Sequence, residues 1–232
     1  MNNTDFFDFP LARREKLYGT VWLLFETLLF SRILQFLNSL LPTPLPQAEI
    51  NFLFFIVNFA AVAFILREYL MDQLRLIPET ISRIIMTVIV GFLAYFMANI
   101  LVSSLLLELD PSFASINDDA VSDLVAENFP LMFFGTVILV PIAEECLFRG
   151  VVFRGLYDRS PALAWVVSVL LFAAVHILGY IGTASPLRLL LCLIQYLPAG
   201  VCLAASYRLS GSLLSPILIH AAVNLVGMIA MR

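Results

Sequence analysis

The sequence predicts an all-α fold: a polytopic transmembrane helix bundle of about seven spans, or eight if a short extra helix is counted. Three observations carry this expectation. Of 232 residues, 61% are apolar and only 13% are charged, whereas a soluble domain carries about 25% charged residues. The mean hydropathy is +0.97, more hydrocarbon than a soluble globule of this size can hide. The apolar residues form long unbroken runs instead of alternating with polar ones, which selects spanning helices over barrel strands. The same composition excludes intrinsic disorder, which needs low hydrophobicity and high charge. A pI near 5.1, a net charge of −4 and one lysine speak against nucleic acid as a partner.

Seven runs are long enough to be considered as spans, each needing about 20 mostly apolar residues. They lie at roughly 17–41, 50–66, 84–107, 130–157, 161–180, 186–207 and 211–231. Pro42, Pro44 and Pro46 end the first. The second gap contains Pro78, and its segment from Arg67 to Arg83 reads as a solvated cytoplasmic loop. Asp110-Pro111 follows the third span. Ser160-Pro161, Ser185-Pro186 and Ser210-Gly211-Ser212 begin the last three, with serine as the N-cap. No internal repeat or soluble domain is visible, so residues 1–232 read as one integral membrane domain. Residues 1–129 form N-terminal helices without polar motifs, and residues 130–231 the helices that hold them. The basic cluster Arg13, Arg14 and Lys16 precedes a run longer than a signal-peptide core of about 7–15 residues, so it reads as an uncleaved first span.

The cations set the expected orientation. Arg13, Arg14, Lys16, Arg67, Arg75, Arg83, Arg149, Arg154, Arg159 and Arg208 fall on one side of a seven-span chain. The loop 108–127 has no cation and six acids: Glu108, Asp110, Asp118, Asp119, Asp123 and Glu127. A multi-pass cell-membrane protein with the N-terminus cytoplasmic and the C-terminus outside follows. Membrane lipid is then its first partner, and the oligomeric state stays open.

An ionisable group inside a span costs at least about 2.5–3.5 kcal/mol on insertion scales, so stranded polar residues mark function or a partner. The fourth span holds Glu144, Glu145 and Arg149. The fifth holds Phe172 and His176, and the seventh His220 and Asn224. The chain's two histidines are both in this set. At 1.5 Å per residue, Glu144 lies about 15 Å from the cytoplasmic end of its span, His176 about 22 Å and His220 about 14 Å, depths compatible with one site. Glu145 and Arg149 are spaced i, i+4 in the favourable order for an ion pair, which would leave Glu144 free. Pro141 and Pro216 each remove a helical hydrogen bond, freeing the carbonyls of Val137 and Ser212, and such breaks line cavities or are buried in protein. Bland readings stand beside this one: the glutamates as structural ion pairs, each histidine as a hydrogen-bonded packing residue, Asn224 and Gln195 as interhelical glue. Glu26 and Arg32 in the first span read as secondary, with Arg32 paired to Glu26 across two turns or to another helix. Cys146, Cys192 and Cys202 read as small, inert packing residues.

The ordered set Glu-Glu-x-x-x-Arg (Glu144, Glu145, Arg149), Phe-x-x-x-His (Phe172, His176) and His-x-x-x-Asn (His220, Asn224) resembles the signature motifs of the CAAX-protease and bacteriocin-processing (CPBP, or Abi) family of intramembrane proteases. The resemblance covers about residues 130–231. It implies a hydrolase that cleaves a peptide bond of a membrane-associated or lipidated peptide or protein. The residues suit such chemistry, which needs a base to activate water and donors for an oxyanion. Glu144 is the expected base, helped by His176. His220 and Asn224 are expected to meet the oxyanion or orient substrate, and Glu145 with Arg149 to hold the helix and tune the site. Phe172 supports them. The family is often classed as metalloprotease, and Glu144, His176 and His220 could supply three ligands to a divalent metal such as zinc. A metal-independent glutamate–histidine mechanism uses the same residues. No H-E-x-x-H is present. Two other classes remain: a non-catalytic membrane immunity or scaffold protein of the same fold, and a proton-coupled transporter, since buried Glu and His also mark proton paths.

Overall fold

The computed structural model describes residues 11–232; the first ten residues of the expected domain lie outside them. Among the described residues the fold is all-α, with no strand. Helix α1 spans Arg13–Ser39, α2 Gln47–Ile65, α3 Arg67–Leu109, α4 Ile116–Glu127, α5 Phe129–Tyr157, α6 Pro161–Leu178, α7 Pro186–Ser210 and α8 Leu214–Ala230. Six of them, α1–α3 and α5–α7, are long and apolar enough to cross a membrane, and α8 is a shorter apolar helix. The chain is a multi-pass membrane protein, and about seven spans agree with its helices.

Burial distinguishes the helices. Half of the apolar stretch of α5 is buried inside the protein, against 6% for α3. Helix α5 is thus the central post, touching α1, α2, α6 and α8, while α7 packs on α3 and α6. The main core gathers on α5 around Leu147, Phe148, Val151 and Phe153. A smaller cluster of Ala48, Val125, Met132 and Met228 sits where α4 meets α2, α5 and α8.

Several punctuation signals act as expected. Ser160 Oγ accepts from Leu163 N at 3.3 Å and Ser185 Oγ from Arg188 N at 3.3 Å, each ahead of a proline in the first turn. Two carboxylates also cap helices from a distance, matching negative charge to the positive end of the helix dipole. Glu15 accepts from Tyr69 N at 3.0 Å at the start of α3, and Glu127 from Ala48 N at 3.1 Å at the start of α2.

Four expectations are corrected. The segment from Arg67 to Arg83 is helical and continuous with the third span. Tyr69, Gln73, Leu76, Thr80 and Ile84 are buried at helical spacing, so a packed stripe sustains what composition alone reads as a loop. Pro78 is tolerated inside α3 because the carbonyl it deprives of a donor, that of Leu74, lies on an exposed residue. The acidic loop 108–127 contains a helix, α4, whose N-cap Ser115 accepts from Asp118 N at 3.3 Å. Ser210-Gly211-Ser212 ends α7 instead of beginning α8: Gly211 takes the left-handed conformation at φ 73°, which glycine adopts without steric cost. Arg32 donates to the carbonyl of Leu28 at 2.6 Å and not to Glu26.

Gly200 permits the close approach of α7 to α6. A Cβ there would lie 3.1 Å from the carbonyl oxygen of Val169 and 3.2 Å from its Cα, backbone atoms that cannot rotate away. At Gly91 the nearest atom is Ile219 Cδ1, the end of a flexible side chain, at 2.7 Å. Gly200→Ala is therefore expected to destabilise by about 1–3 kcal/mol, as overpacking does, and Gly91→Ala by less. Thermal unfolding of the two variants in one detergent checks the order; equal midpoints would contradict it.

Candidate active site

The fourth-span motif folds as a helix interrupted twice by wide turns, π-helical over Gly135–Leu139 and Cys146–Phe153. Such turns shift register and free backbone groups, and they recur at functional sites. Glu144 and Glu145 lie on the short α-helical stretch between them. Their side chains consequently meet different neighbours.

Glu145 is fully buried and its Oε1 is the hub of the cluster. It accepts from Arg149 Nη1 at 3.1 Å and from His220 Nδ1 at 2.9 Å. Arg149, also fully buried, donates from Nη2 to the carbonyl of Gly200 at 3.1 Å, and its guanidinium carbon sits 4.5 Å over the ring of Phe172. One ion pair on α5 thereby touches α6, α7 and α8. Oε2 of Glu145 and Nε of Arg149 have no hydrogen-bond partner.

Glu144 is half-buried and its Oε2 is without a partner. It stands within electrostatic range of His176 and of Glu26 on α1. His176 places Nδ1 2.7 Å from the carbonyl of Phe172, one turn back on α6. That contact requires Nδ1–H, so a neutral His176 carries its lone pair on Nε2. Its ring lies against Phe172 at 4.9 Å and stacks on Tyr196 at 4.2 Å.

Asn224 donates from Nδ2 to the carbonyl of Thr136 at 2.8 Å. This corrects the expected location of the freed carbonyl. In the wide turn, Val140 N bonds to Gly135 O, five residues back, so Pro141 would have bonded to Thr136, not Val137. The side chain of Asn224 supplies the donor that proline lacks, and its second amide hydrogen remains. Pro216 behaves differently again. It lies in the first turn of α8, where no intrahelical donor is needed. The carbonyl of Ser212 accepts from Ser215 N at 3.4 Å, with Ser210 Oγ at 3.2 Å.

His176, His220 and Asn224 share a cavity of about 60 Å³ with Tyr95, Phe172, Tyr196 and three apolar side chains. That volume holds a few waters, since one needs about 10–15 Å³ on this measure. Glu144 does not line this cavity. A metal set is not assembled. Among the described residues no three His, Cys, Asp or Glu side chains stand close enough to hold an ion. The arrangement does not fit the expected trio Glu144, His176 and His220 as metal ligands. Cys146 is fully buried in the core.

Sequence reasoning missed four contributors. Tyr95 on α3 and Tyr196 on α7 line the cavity, but aromatic residues are too common here to stand out. Asp118 on α4 accepts from Tyr196 at 2.9 Å; only its place in a cation-free segment hinted at it. The carbonyl of Gly200 carries no side-chain signal at all.

The geometry sets a contrast between adjacent acids. Glu145→Gln would leave Arg149 as a buried charge without its counter-ion, a loss of about 3–5 kcal/mol by analogy with broken buried pairs. Glu144→Gln is expected to cost less than about 1 kcal/mol, because no bond of Glu144 is lost. Denaturation of the purified variants measures both, and a reversed order would contradict the assignment of the hub.

Residues 126–226 match the family described as type II CAAX prenyl endopeptidase Rce1-like. Over 95 residues the chain is 34% identical to an uncharacterized 24.3 kDa protein of Escherichia coli, a stretch covering 40% of this chain and 40% of that protein. The chain thus matches about two fifths of the length of that curated relative. No solved structure matches it. All seven motif residues fall inside the matched segment, so this part of the chain is similar to the Rce1-like type II CAAX prenyl endopeptidases, consistent with the CPBP/Abi resemblance.

Proposed function

We propose that this protein is an intramembrane endopeptidase that uses a glutamate-activated water to hydrolyse a peptide bond in a membrane-associated or lipidated peptide. One observation carries the reading: of two adjacent intramembrane glutamates, Glu145 is neutralised by Arg149 and bonded to His220, while Glu144 keeps an unpartnered oxygen near His176. Both acids leave Oε2 unpaired, but Glu145 alone of the two has a counter-ion, which a purely structural role would give to each. A base needs one acid held and one available.

Glu144 takes a proton from water as the water oxygen attacks the scissile carbonyl carbon. His176 orients that water through its Nε2 lone pair, its Nδ1–H being held by Phe172. The carbonyl oxygen becomes an oxyanion, met by the remaining amide hydrogen of Asn224 and, in its imidazolium form, by Nε2–H of His220. Glu145 accepts from the other imidazole nitrogen, and the oxyanion itself balances the imidazolium charge. The tetrahedral carbon then expels the amine, which receives the proton from Glu144. Preorganised donors in a site with little water supply much of such rate acceleration. No step passes through a metal.

The family's description supports a prenylated C-terminal CAAX peptide as the substrate class. The orientation follows the cations: Arg14, Lys16, Arg154 and Arg208 make their contacts at the end where α1 and α3 begin and α5 closes. That end is assigned to the cytoplasm, with the C-terminus outside.

Peptide profiles of membranes carrying wild-type, Glu144→Ala and His176→Ala protein test the activity. A product present only with wild type is expected, with cleavage by each variant reduced about 100-fold or more, as for loss of a general base. Variants that insert normally and cleave like wild type would overturn the mechanism. Variants that insert, with no product from any form and an unchanged cellular phenotype, would make the chain a scaffold. Treatment with a chelator is expected to leave the purified enzyme active; loss restored by zinc would return the metal.

A further inference from the structure

Helix α4 is not part of any motif, yet its first turn reaches the site. Ser115 caps α4 and so fixes the turn that carries Asn117 and Asp118. The hydroxyl of Tyr196 on α7 accepts from Asn117 Nδ2 at 3.0 Å and donates to Asp118 Oδ1 at 2.9 Å. Gln195 Nε2 lies 3.4 Å from the other oxygen of Asp118. Tyr196 is thereby held at its tip, and the face of its ring lies on the imidazole of His176, with centroids 4.2 Å apart and planes 20° apart.

An imidazole hydrogen-bonded through one nitrogen can still swing about that bond. Phe172 contacts His176 at an interplanar angle of 52° and does not fix the ring plane by stacking. The Tyr196 ring does, and Tyr196 is itself oriented by Asp118. Groups from three helices face His176 with charge or the capacity for it: Glu144 on α5, His220 on α8 and Asp118 on α4. Only Asp118 acts on the histidine through an intervening side chain with resolved bonds.

We propose that Asp118 and Tyr196 are positioning residues for His176, so that the acidic helix between the third and fourth membrane-spanning helices sets the plane of an imidazole in the site. The inference rests on the endopeptidase reading for its catalytic consequence but not for its structural content, and the two are measured separately. The chain contains two histidines, so protein labelled with ¹⁵N-histidine gives two ring spin systems, assigned with His220→Gln. At fixed pH in micelles, Tyr196→Phe and Asp118→Ala are expected to move the ring nitrogens of His176 in the same direction and leave those of His220 in place. Both changes remove the Tyr196–Asp118 hydrogen bond and Tyr196→Phe also the one from Asn117, so the double variant is expected to match Tyr196→Phe. Tyr196→Phe keeps the ring and the fold. Wild-type shifts for His176 in that variant, or equal movement of both histidines, would overturn the proposal. With a farnesylated fluorogenic peptide, kcat is expected to fall about 10-fold with KM within twofold in either single variant. Unchanged kcat with a moved His176 signal would overturn the catalytic part. If wild type cleaves nothing, the endopeptidase reading fails while the nitrogen shifts still decide the positioning.

Discussion

Arg149 and Glu145 bury opposite charges in the middle of a helix bundle, and the helices around the site are registered to one another through them. Removing such ions from water costs several kcal/mol each. The cost is offset because three neighbouring helices contribute: α6 through the face of Phe172, α7 through the carbonyl of Gly200, α8 through His220. A sliding movement of any one helix would weaken a bond to a charge that has no water to turn to. The pair therefore specifies one arrangement more than it adds stability, and the position of the reactive side chains follows from it.

The backbone obeys the same constraint. Hydrocarbon offers no partner for an unpaired carbonyl, and α5 has a proline in its course. The wide turn before Pro141 transfers the deficit to Thr136, where Asn224 meets it. Asn224 is consequently structural and available for chemistry at once, since an amide carries two hydrogens. The bland reading of Asn224 as glue and the sharp one as an oxyanion donor describe two halves of a single group.

How much of this was legible in the sequence depended on whether a residue violated its surroundings. Glu144, Glu145, Arg149, His176, His220 and Asn224 stand out in apolar runs because each is expensive there, and the i, i+4 spacing of Glu145 and Arg149 shows which acid is paired. Tyr196 and Tyr95 break no rule in a membrane helix, so nothing announced them. Asp118 is ordinary in a polar gap, and its partner lies 78 positions away. The stretch from Arg67 to Arg83 carries enough charge to resemble a loop, but its helix is maintained by packing on one side, which composition averages away. Pro141 was visible as a break, whereas its consequence was displaced by one residue because the local turn is wider than an α-turn.

Helix α3 has 43 residues and at about 1.5 Å each is roughly 65 Å long, twice the hydrocarbon thickness of a bilayer. It cannot be contained by the membrane, so its first turns stand in the aqueous phase as a rigid mast. That mast is not free. Gln73 takes the amide of Leu213 at 2.9 Å just before α8 begins, and the hydroxyls of Tyr69 and Tyr207 bond beside it. Lower down, Gly91 lets Ile219, the neighbour of His220, lie directly on the same helix. A lateral load on the mast, whether from lipid headgroups or from bilayer thinning, is thus transmitted by leverage to the helix that bears the imidazole.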